Sequence, residues 1–155
     1  MILTVDHVDE ENLLCYAYGT LEAGRIAAVD SHVSGCPDCV RRLQETATAA
    51  VHSRRNSQSG TVRKAERRSE PRIPTDQCGT LQVLQPLSLL REKVYIFDTS
   101  KNGLGLQLSD RLSLGCLVQV RIKDTVVLGE IRYCVKNGDT YRAGVQVEDI
   151  HVLRS

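Results

Sequence analysis

Hydrophobic residues recur at two different periods along this chain, and the change of period divides it into two regions. Between residues 9 and 52 they recur at spacings of three and four, as in Ile26, Val29 and Val33, which is the pattern of an amphipathic helix. From residue 78 onward apolar and polar residues alternate, which is the pattern of a half-buried β-strand. The chain is therefore predicted to be helical first and β-stranded afterwards.

Local signals divide the helical region into three helices. Asp9 stands where a capping residue is expected before the first helix, and Gly19 marks its end. A second helix is predicted over residues 21–33. Pro37 suits the first position of a third helix, which is expected to run to about His52.

The alternating region predicts about six strands between residues 78 and 149. Its apolar positions repeat at every second residue at Leu104, Leu106 and Leu108, at Val118, Val120 and Ile122, and at Tyr141, Ala143, Val145 and Val147. Asn137–Gly138 lies between two such runs and predicts a tight hairpin. Short antiparallel strands joined by close turns favour a small barrel, because closure removes exposed sheet edges.

The expected fold class is α+β, with three parts in order along the chain. Residues 1–52 form a small helical module, residues 53–66 a flexible basic linker without apolar periodicity, and residues 67–155 a six-stranded antiparallel β-barrel. Charge supports the division, since residues 1–39 are acidic and residues 53–72 are basic. The basic run is too short to indicate a DNA-binding domain, so no direct DNA binding is expected.

Composition narrows the class of protein further. No run of about 18 apolar residues predicts a membrane helix, and the acidic start is unlike a signal peptide. The chain is therefore expected to be cytoplasmic, with its six cysteines reduced. No nucleophile–base pair, phosphate-binding loop or pair of catalytic carboxylates is recognisable, so we expect a protein without enzymatic activity.

A pattern of metal ligands lies between the second and third predicted helices. His32, Cys36 and Cys39 form H-x3-C-x2-C, in which the two cysteines straddle the first turn of a helix and can reach one ion. Thiolate and imidazole ligands in tetrahedral geometry suit structural Zn²⁺. His7 and Cys15 are the candidates for the fourth ligand. His7 is preferred, because a buried thiol among apolar neighbours is the ordinary role for Cys15.

Residues 7–45, with LLCYAYGTL and HVSGCPDC, resemble the zinc-binding anti-sigma (ZAS) family. That family carries an upstream His or Cys about 25 residues before H-x3-C-x2-C, a distance that His7 matches. The resemblance implies a small helical module that binds a sigma factor or another regulatory protein. Redox-switching members tend to have Cys at the first ligand position, and His7 in this chain therefore argues against a thiol switch.

A second set of polar residues flanks the start of the β-region. Arg67, Arg68 and Arg72 form an RR-x3-R pattern, and residues 98–103 read Asp-Thr-Ser-Lys-Asn-Gly. Arginine offers a planar fork to phosphate and to the guanine edge, and it can stack on a purine. Asp98 can accept hydrogen bonds from guanine N–H groups. The ligand implied is anionic, planar and similar to guanine.

The two patterns together resemble the PilZ family over residues 66–149. The signatures R-x3-R and [D/N]-x-S-x-x-G match Arg68 with Arg72, and Asp98 with Ser100 and Gly103. The resemblance implies a barrel that binds the second messenger cyclic di-GMP and relays it to a protein partner. Arg67 would stack on a second messenger molecule, which implies two ligands per chain. The alternative function is a zinc-dependent anti-sigma regulator whose barrel is a sensor or a relic that does not bind.

The remaining cysteines and histidines have no metal spacing. Cys78, Cys116 and Cys134 fall in strand patterns, where packing in the core is the ordinary role. His52 and His151 are expected at the surface.

Overall fold

The structure, a computed structural model, describes residues 7–57 and 73–153, and the side chains of its third helix only as far as Val51. Three helices precede six strands, as the sequence predicts. They are α1 (Glu10–Tyr18), α2 (Ala23–Val33), α3 (Pro37–Ser57), β1 (Ile73–Gln85), β2 (Leu87–Ser100), β3 (Gly103–Leu108), β4 (Leu117–Ile122), β5 (Thr125–Asn137) and β6 (Thr140–Val152). None of the helices in these two ranges is both long and apolar enough to cross a membrane.

Capping groups set the ends of α1 as expected. The Asp9 side chain accepts a hydrogen bond from the Asn12 N–H at 2.9 Å, and Gly19 ends the helix with a φ of 76°. The expected end of α3 is wrong, because the helix continues to Ser57 and takes the first residues of the predicted linker. No Pro or Gly interrupts residues 53–57, and two arginines there favour helix. The rest of the predicted linker lies outside the described residues.

The six strands form a closed antiparallel barrel in the order β1-β2-β3-β6-β5-β4. Strand β1 closes the ring because it pairs with β2 on one side and β4 on the other, so that Thr80 is opposite both Lys93 and Arg121. The predicted hairpin at Asn137–Gly138 is present, with Asn137 paired to Thr140 and Gly138 at a φ of 69°. Closure leaves no unpaired edge strand in the described sheet.

The barrel interior is filled with aliphatic side chains from the alternating positions. Its buried cluster includes Leu104, Leu106, Leu108, Val118, Val120, Ile122, Ala143 and Val145. Cys116 joins this cluster, and burial raises the pKa of its thiol to about 11. The expectation for Cys78 is wrong, since its side chain is exposed. Cys78 lies where β1 extends beyond the segment paired with β4, so less of the sheet surrounds it.

The helices pack directly against the outside of the barrel. A second apolar cluster joins helical side chains to three barrel residues, Leu84, Leu117 and Leu128; the helical members are Leu13, Tyr16, Ala17, Val29, Val33, Cys39, Leu43, Ala47 and Val51. His151 is half-buried rather than at the surface, because its ring lies 4.3 Å from that of Tyr18. The described helices and the barrel therefore share one core, in addition to the core inside the barrel.

Candidate functional site

Four of the predicted metal ligands come together beside the helices. Suitable nitrogen or sulfur atoms of His7, His32, Cys36 and Cys39 all lie within 4.8 Å of one another. His7 precedes α1 and His32 is in the last turn of α2, while Cys36 directly precedes α3 and Cys39 is in its first turn. The helix order thus brings a residue from the beginning of the described chain onto the H-x3-C-x2-C segment.

The distances in this cluster fit a tetrahedral zinc site. His7 Nδ1 lies 3.5 Å from Cys36 Sγ and 3.3 Å from Cys39 Sγ. Zinc–sulfur and zinc–nitrogen bonds of ordinary length place such atoms about 3.6 Å apart. His32 Nε2 is buried and has no hydrogen-bond partner in the described chain, as expected for an atom that would ligate an ion. Zn²⁺ there would carry no reaction and would tie the three helices together.

The surroundings hold this cluster in place. Cys39 is fully buried, whereas His7 is exposed. The cluster therefore faces the protein interior at Cys39 and solvent at His7. Arg42 donates to the Val8 carbonyl oxygen at 2.9 Å and lies 3.8 Å from Cys39 Sγ, which links α3 to the segment that carries His7. Cys15 lies on α1 outside the cluster.

The Asp98–Gly103 motif forms the turn between β2 and β3. Ser100 is paired with Gly103 across the hairpin, with Lys101 and Asn102 at its tip. The Val147 N–H donates to the Asn102 carbonyl oxygen at 2.8 Å, which fastens the tip to β6. Gly103 does not have a positive φ. A Cβ there would lie 3.3 Å from Ser100 Oγ and 3.4 Å from the Val145 carbonyl oxygen, so the space beside this glycine is tight.

Gly105 provides the surface on which Asp98 lies. The two residues are paired across β2 and β3, and Phe97 forms an irregularity beside them. A Cβ at Gly105 would collide with the Asp98 carboxylate and would lie 2.7 Å from the Phe97 ring. The Arg142 guanidinium stacks over the Phe97 ring, 4.1 Å from its centroid. Aromatic, acidic and basic groups thus adjoin the turn.

The predicted arginines Arg67, Arg68 and Arg72 lie outside the described residues. The structure describes strand β1, which begins at Ile73, directly after Arg72 in the sequence. Ile73 is paired with Thr99, and Pro74 with Asp98, so β1 begins alongside the motif turn.

Sequence reasoning missed the contributions of Phe97, Gly105 and Arg142. A signal for Gly105 was available, because it alternates with the inward-facing Leu104 and Leu106 and must therefore face outward next to the motif. No comparable signal marks Arg142, since its position depends on the pairing of β3 with β6.

Comparison with known proteins bears on the β-region. Residues 66–153 match the family model described as PilZ domain. A search of curated proteins gives no match. Among solved structures, the Bacillus subtilis inhibitor of motility, MotI/DgrA, matches with a TM-score of 0.42 and 11% identity, over 59% of this chain and 44% of that one. The family match covers more than half of the sequence, and the chain therefore belongs to the PilZ domain family.

Proposed function

We propose that this chain is a receptor for cyclic di-GMP, a function that the PilZ family membership suggests. The observation that carries the proposal is the position of Asp98, Ser100 and Gly103 on one hairpin beside the first residues of β1. Asp98 would accept hydrogen bonds from guanine N–H groups, and Ser100 would bond to a phosphate or base. Gly103 would let the ligand approach the backbone.

Arg67, Arg68 and Arg72 would supply the positive charge in this proposal. Arg72 directly precedes Ile73 in the sequence, and consecutive Cα atoms are about 3.8 Å apart. Ile73 is paired with Thr99, so a bound ligand at the hairpin would be within reach of the segment that ends at Arg72. Guanidinium groups would bind phosphate oxygens and the guanine edge in a bidentate way.

Isothermal titration of the full chain with cyclic di-GMP tests this proposal. The D98A variant and the R68A/R72A double variant are each expected to weaken binding at least about tenfold, as for a lost charge-assisted hydrogen bond. Asp110 and Arg111 are exposed beyond the opposite end of β3 and offer matched controls. The D110A and R111A variants are expected to bind like the unchanged chain.

Two outcomes would contradict the receptor function. One is the absence of saturable binding in a chain whose circular dichroism shows folded strands. The other is binding that survives in the D98A and R68A/R72A variants, since the ligand would then lie elsewhere. Cyclic di-AMP provides a base-specificity control, because it lacks the guanine groups that Asp98 would recognise.

A structural Zn²⁺ held by His7, His32, Cys36 and Cys39 is part of the proposal. The donor set, the 3.3 and 3.5 Å spacings and the buried, unpartnered His32 nitrogen support it. The ion would hold the start of α1 against α2 and α3, and so keep the helices in the arrangement that packs on the barrel.

Messenger binding would be relayed to a protein partner in the cytoplasm. A sigma factor, the partner implied for the helical module, ranks second for a specific reason. Leu13, Leu43 and Val51 share an apolar cluster with barrel residues, so this side of the helices is already covered. Pull-down of sigma factors by the full chain, with and without cyclic di-GMP, distinguishes the two functions. Messenger-independent capture of a sigma factor would favour the anti-sigma alternative.

A further inference from the structure

A cleft of about 330 Å³ lies at the junction of the helices and the barrel. One wall is apolar and comes from the start of α2 and the segment before it; it consists of Leu21, Ala23 and Ile26. The facing wall is polar and comes from the outside of the barrel; it consists of Thr80, Gln82, Arg91, Gln119 and Arg121, with Tyr16 at the edge. This volume is within the range of small-molecule sites, which combine apolar walls with a few oriented polar groups.

The polar wall is built by strand register. Thr80 is paired with Arg121, and Gln82 with Gln119, so two alternate pairs of β1 and β4, on either side of the inward-facing pair Leu81–Val120, face the cleft. Both glutamines are buried and their amides are fixed. Gln82 donates to the Tyr16 hydroxyl at 2.8 Å, and Gln119 donates to the Tyr16 carbonyl oxygen at 2.8 Å. These groups are therefore held in position before any ligand arrives.

The two arginines of the cleft differ in their partners. The Arg91 guanidinium forms an ion pair with the Asp30 carboxylate, with Nη1 2.8 Å from Oδ2. Its positive charge is therefore already neutralised. Arg121 donates a hydrogen bond to the Gly19 carbonyl oxygen at 2.9 Å and forms no ion pair with a carboxylate of residues 7–57 and 73–153. A guanidinium carries five N–H donors. Within the part of the chain that the structure describes, the Arg121 charge is thus not neutralised by an ion pair, and the guanidinium has further donors for the cleft.

We propose that this cleft binds a small amphipathic carboxylate. The carboxylate would pair with the Arg121 guanidinium, which suits a two-oxygen anion. The planar apolar part of this ligand would lie against the Leu21 and Ile26 side chains. Because the ligand would touch both α2 and β4, it would stabilise the contact between helices and barrel.

This site is separate from the cyclic di-GMP hairpin. Arg91 is paired with Gln82 and Asp98 with Pro74, so the two positions are eight residues apart along β1. At the usual rise of a strand, that separation is roughly 25 Å. The two ligands would not compete for the same groups.

Nuclear magnetic resonance of the metal-loaded full chain, titrated with 2-naphthoate, tests the proposal. Saturable shifts are expected at the Gln82 and Gln119 side-chain amides, with no shifts at Gly103 and Gly105. The uncharged match, 2-naphthamide, is expected to bind at least about tenfold more weakly, because it lacks the charge that Arg121 recognises.

Two variants keep the test decisive. R121Q is expected to weaken 2-naphthoate binding at least about tenfold, whereas R132Q, at an exposed arginine of β5, leaves it unchanged. A23F fills the cleft while Arg121 is retained, and is expected to abolish the shifts. The proposal is overturned if no saturable shifts occur up to about 10 mM 2-naphthoate. It is also overturned if the amide binds equally well, or if R121Q and A23F both retain binding.

Discussion

The side-chain amide of Gln119 on β4 donates to the backbone carbonyl oxygen of Tyr16 in the last turn of α1, at a distance of 2.8 Å. The same amide nitrogen lies 2.9 Å from the carbonyl oxygen of Ala17. The last carbonyl groups of a helix have no partner within the helix. The Tyr16 carbonyl oxygen also accepts from the Gly19 N–H at 3.1 Å, so a barrel residue adds to the local C-terminal capping of α1 and fixes the end of the helix on the barrel.

Replacing Gln119 with Ala is expected to lower the free energy of unfolding by about 1–3 kcal/mol, because the Tyr16 and Ala17 carbonyl groups each lose a hydrogen bond from its amide. Urea unfolding followed by circular dichroism measures the change. Q107A removes an exposed glutamine from β3 and is expected to change stability by less than about 0.5 kcal/mol. Equal stabilities of Q119A and Q107A would show that the contact contributes nothing.

Replacing Gly105 with Ala is expected to displace the Asp98 carboxylate, because the new methyl group would occupy its place and press on Phe97. Affinity for cyclic di-GMP should fall at least about tenfold, as for loss of one charge-assisted hydrogen bond. In the control G24A the added methyl group meets no atom within 4 Å. Calorimetric titration of both variants checks the difference, and unchanged affinity in G105A would separate Gly105 from the binding surface.

Metal analysis of the purified chain is expected to give one zinc ion per molecule. Replacing Cys39 with Ser should remove the ion, because one of four ligands is lost, whereas C15S should retain it. Chelation is expected to lower the thermal midpoint of the unchanged chain and to leave that of C39S unaffected. Zinc retained in C39S, or lost in C15S, would contradict the assigned ligands.

The stability of this protein is expected to fall between pH 10 and pH 12 through Tyr16. Burial and a hydrogen bond to Asp30 raise the pKa of Tyr16 to about 12, from 10 in an exposed tyrosine. Below pH 10 the Tyr16 phenol keeps its proton in both the folded and the unfolded chain, and its contribution to the free energy of unfolding is complete. Above pH 10 the phenol of the unfolded chain ionises first. The free energy of unfolding then falls until the pH passes the pKa of Tyr16 in the folded chain. The complete loss is about 3 kcal/mol.

The Y16F variant isolates this effect. It is expected to be less stable than the unchanged chain at pH 8, because it lacks the hydroxyl that accepts from Gln82 and Arg91. The difference between the two chains should narrow as the pH rises from 10 to 12, since only one of them carries the phenol. Urea unfolding at several pH values measures it, and a constant difference would argue against the raised pKa.

Arg67 is expected to allow a second cyclic di-GMP molecule to stack on the first, which gives two ligands per chain. Replacing Arg67 with Ala should reduce the stoichiometry to one while the first affinity stays within about threefold. Calorimetry at high protein concentration measures the number. A clean one-to-one stoichiometry in the unchanged chain would rule out the second molecule.

Local pattern was sufficient to predict the type and order of the elements. The alternation at Leu104, Leu106 and Leu108 corresponds to inward-facing side chains, because a strand turns successive residues to opposite faces. The spacing of His32, Cys36 and Cys39 likewise predicted that these three side chains come together. His7 was preferred over Cys15 as the fourth ligand, a choice that the family resemblance supported, and the structure places His7 in the cluster.

Contacts between distant segments could not be predicted in this way. Gln119 and Arg121 alternate with Val118 and Val120, and such polar residues ordinarily face water. In this fold the helices cover that outer face, which turns both residues into parts of a buried interface. The sequence pattern does not indicate which outer face of the barrel the preceding helices cover. The helical module and the barrel were therefore expected to be separate.

The contact between α1 and β4 also has a consequence for the order of folding. Tyr16 and Gln119 are 103 positions apart in the sequence, whereas each hairpin joins near neighbours. Bringing distant segments together costs more chain entropy and tends to be slow. The helices and hairpins are therefore expected to form early, and the docking of α1 on the barrel to be among the last steps.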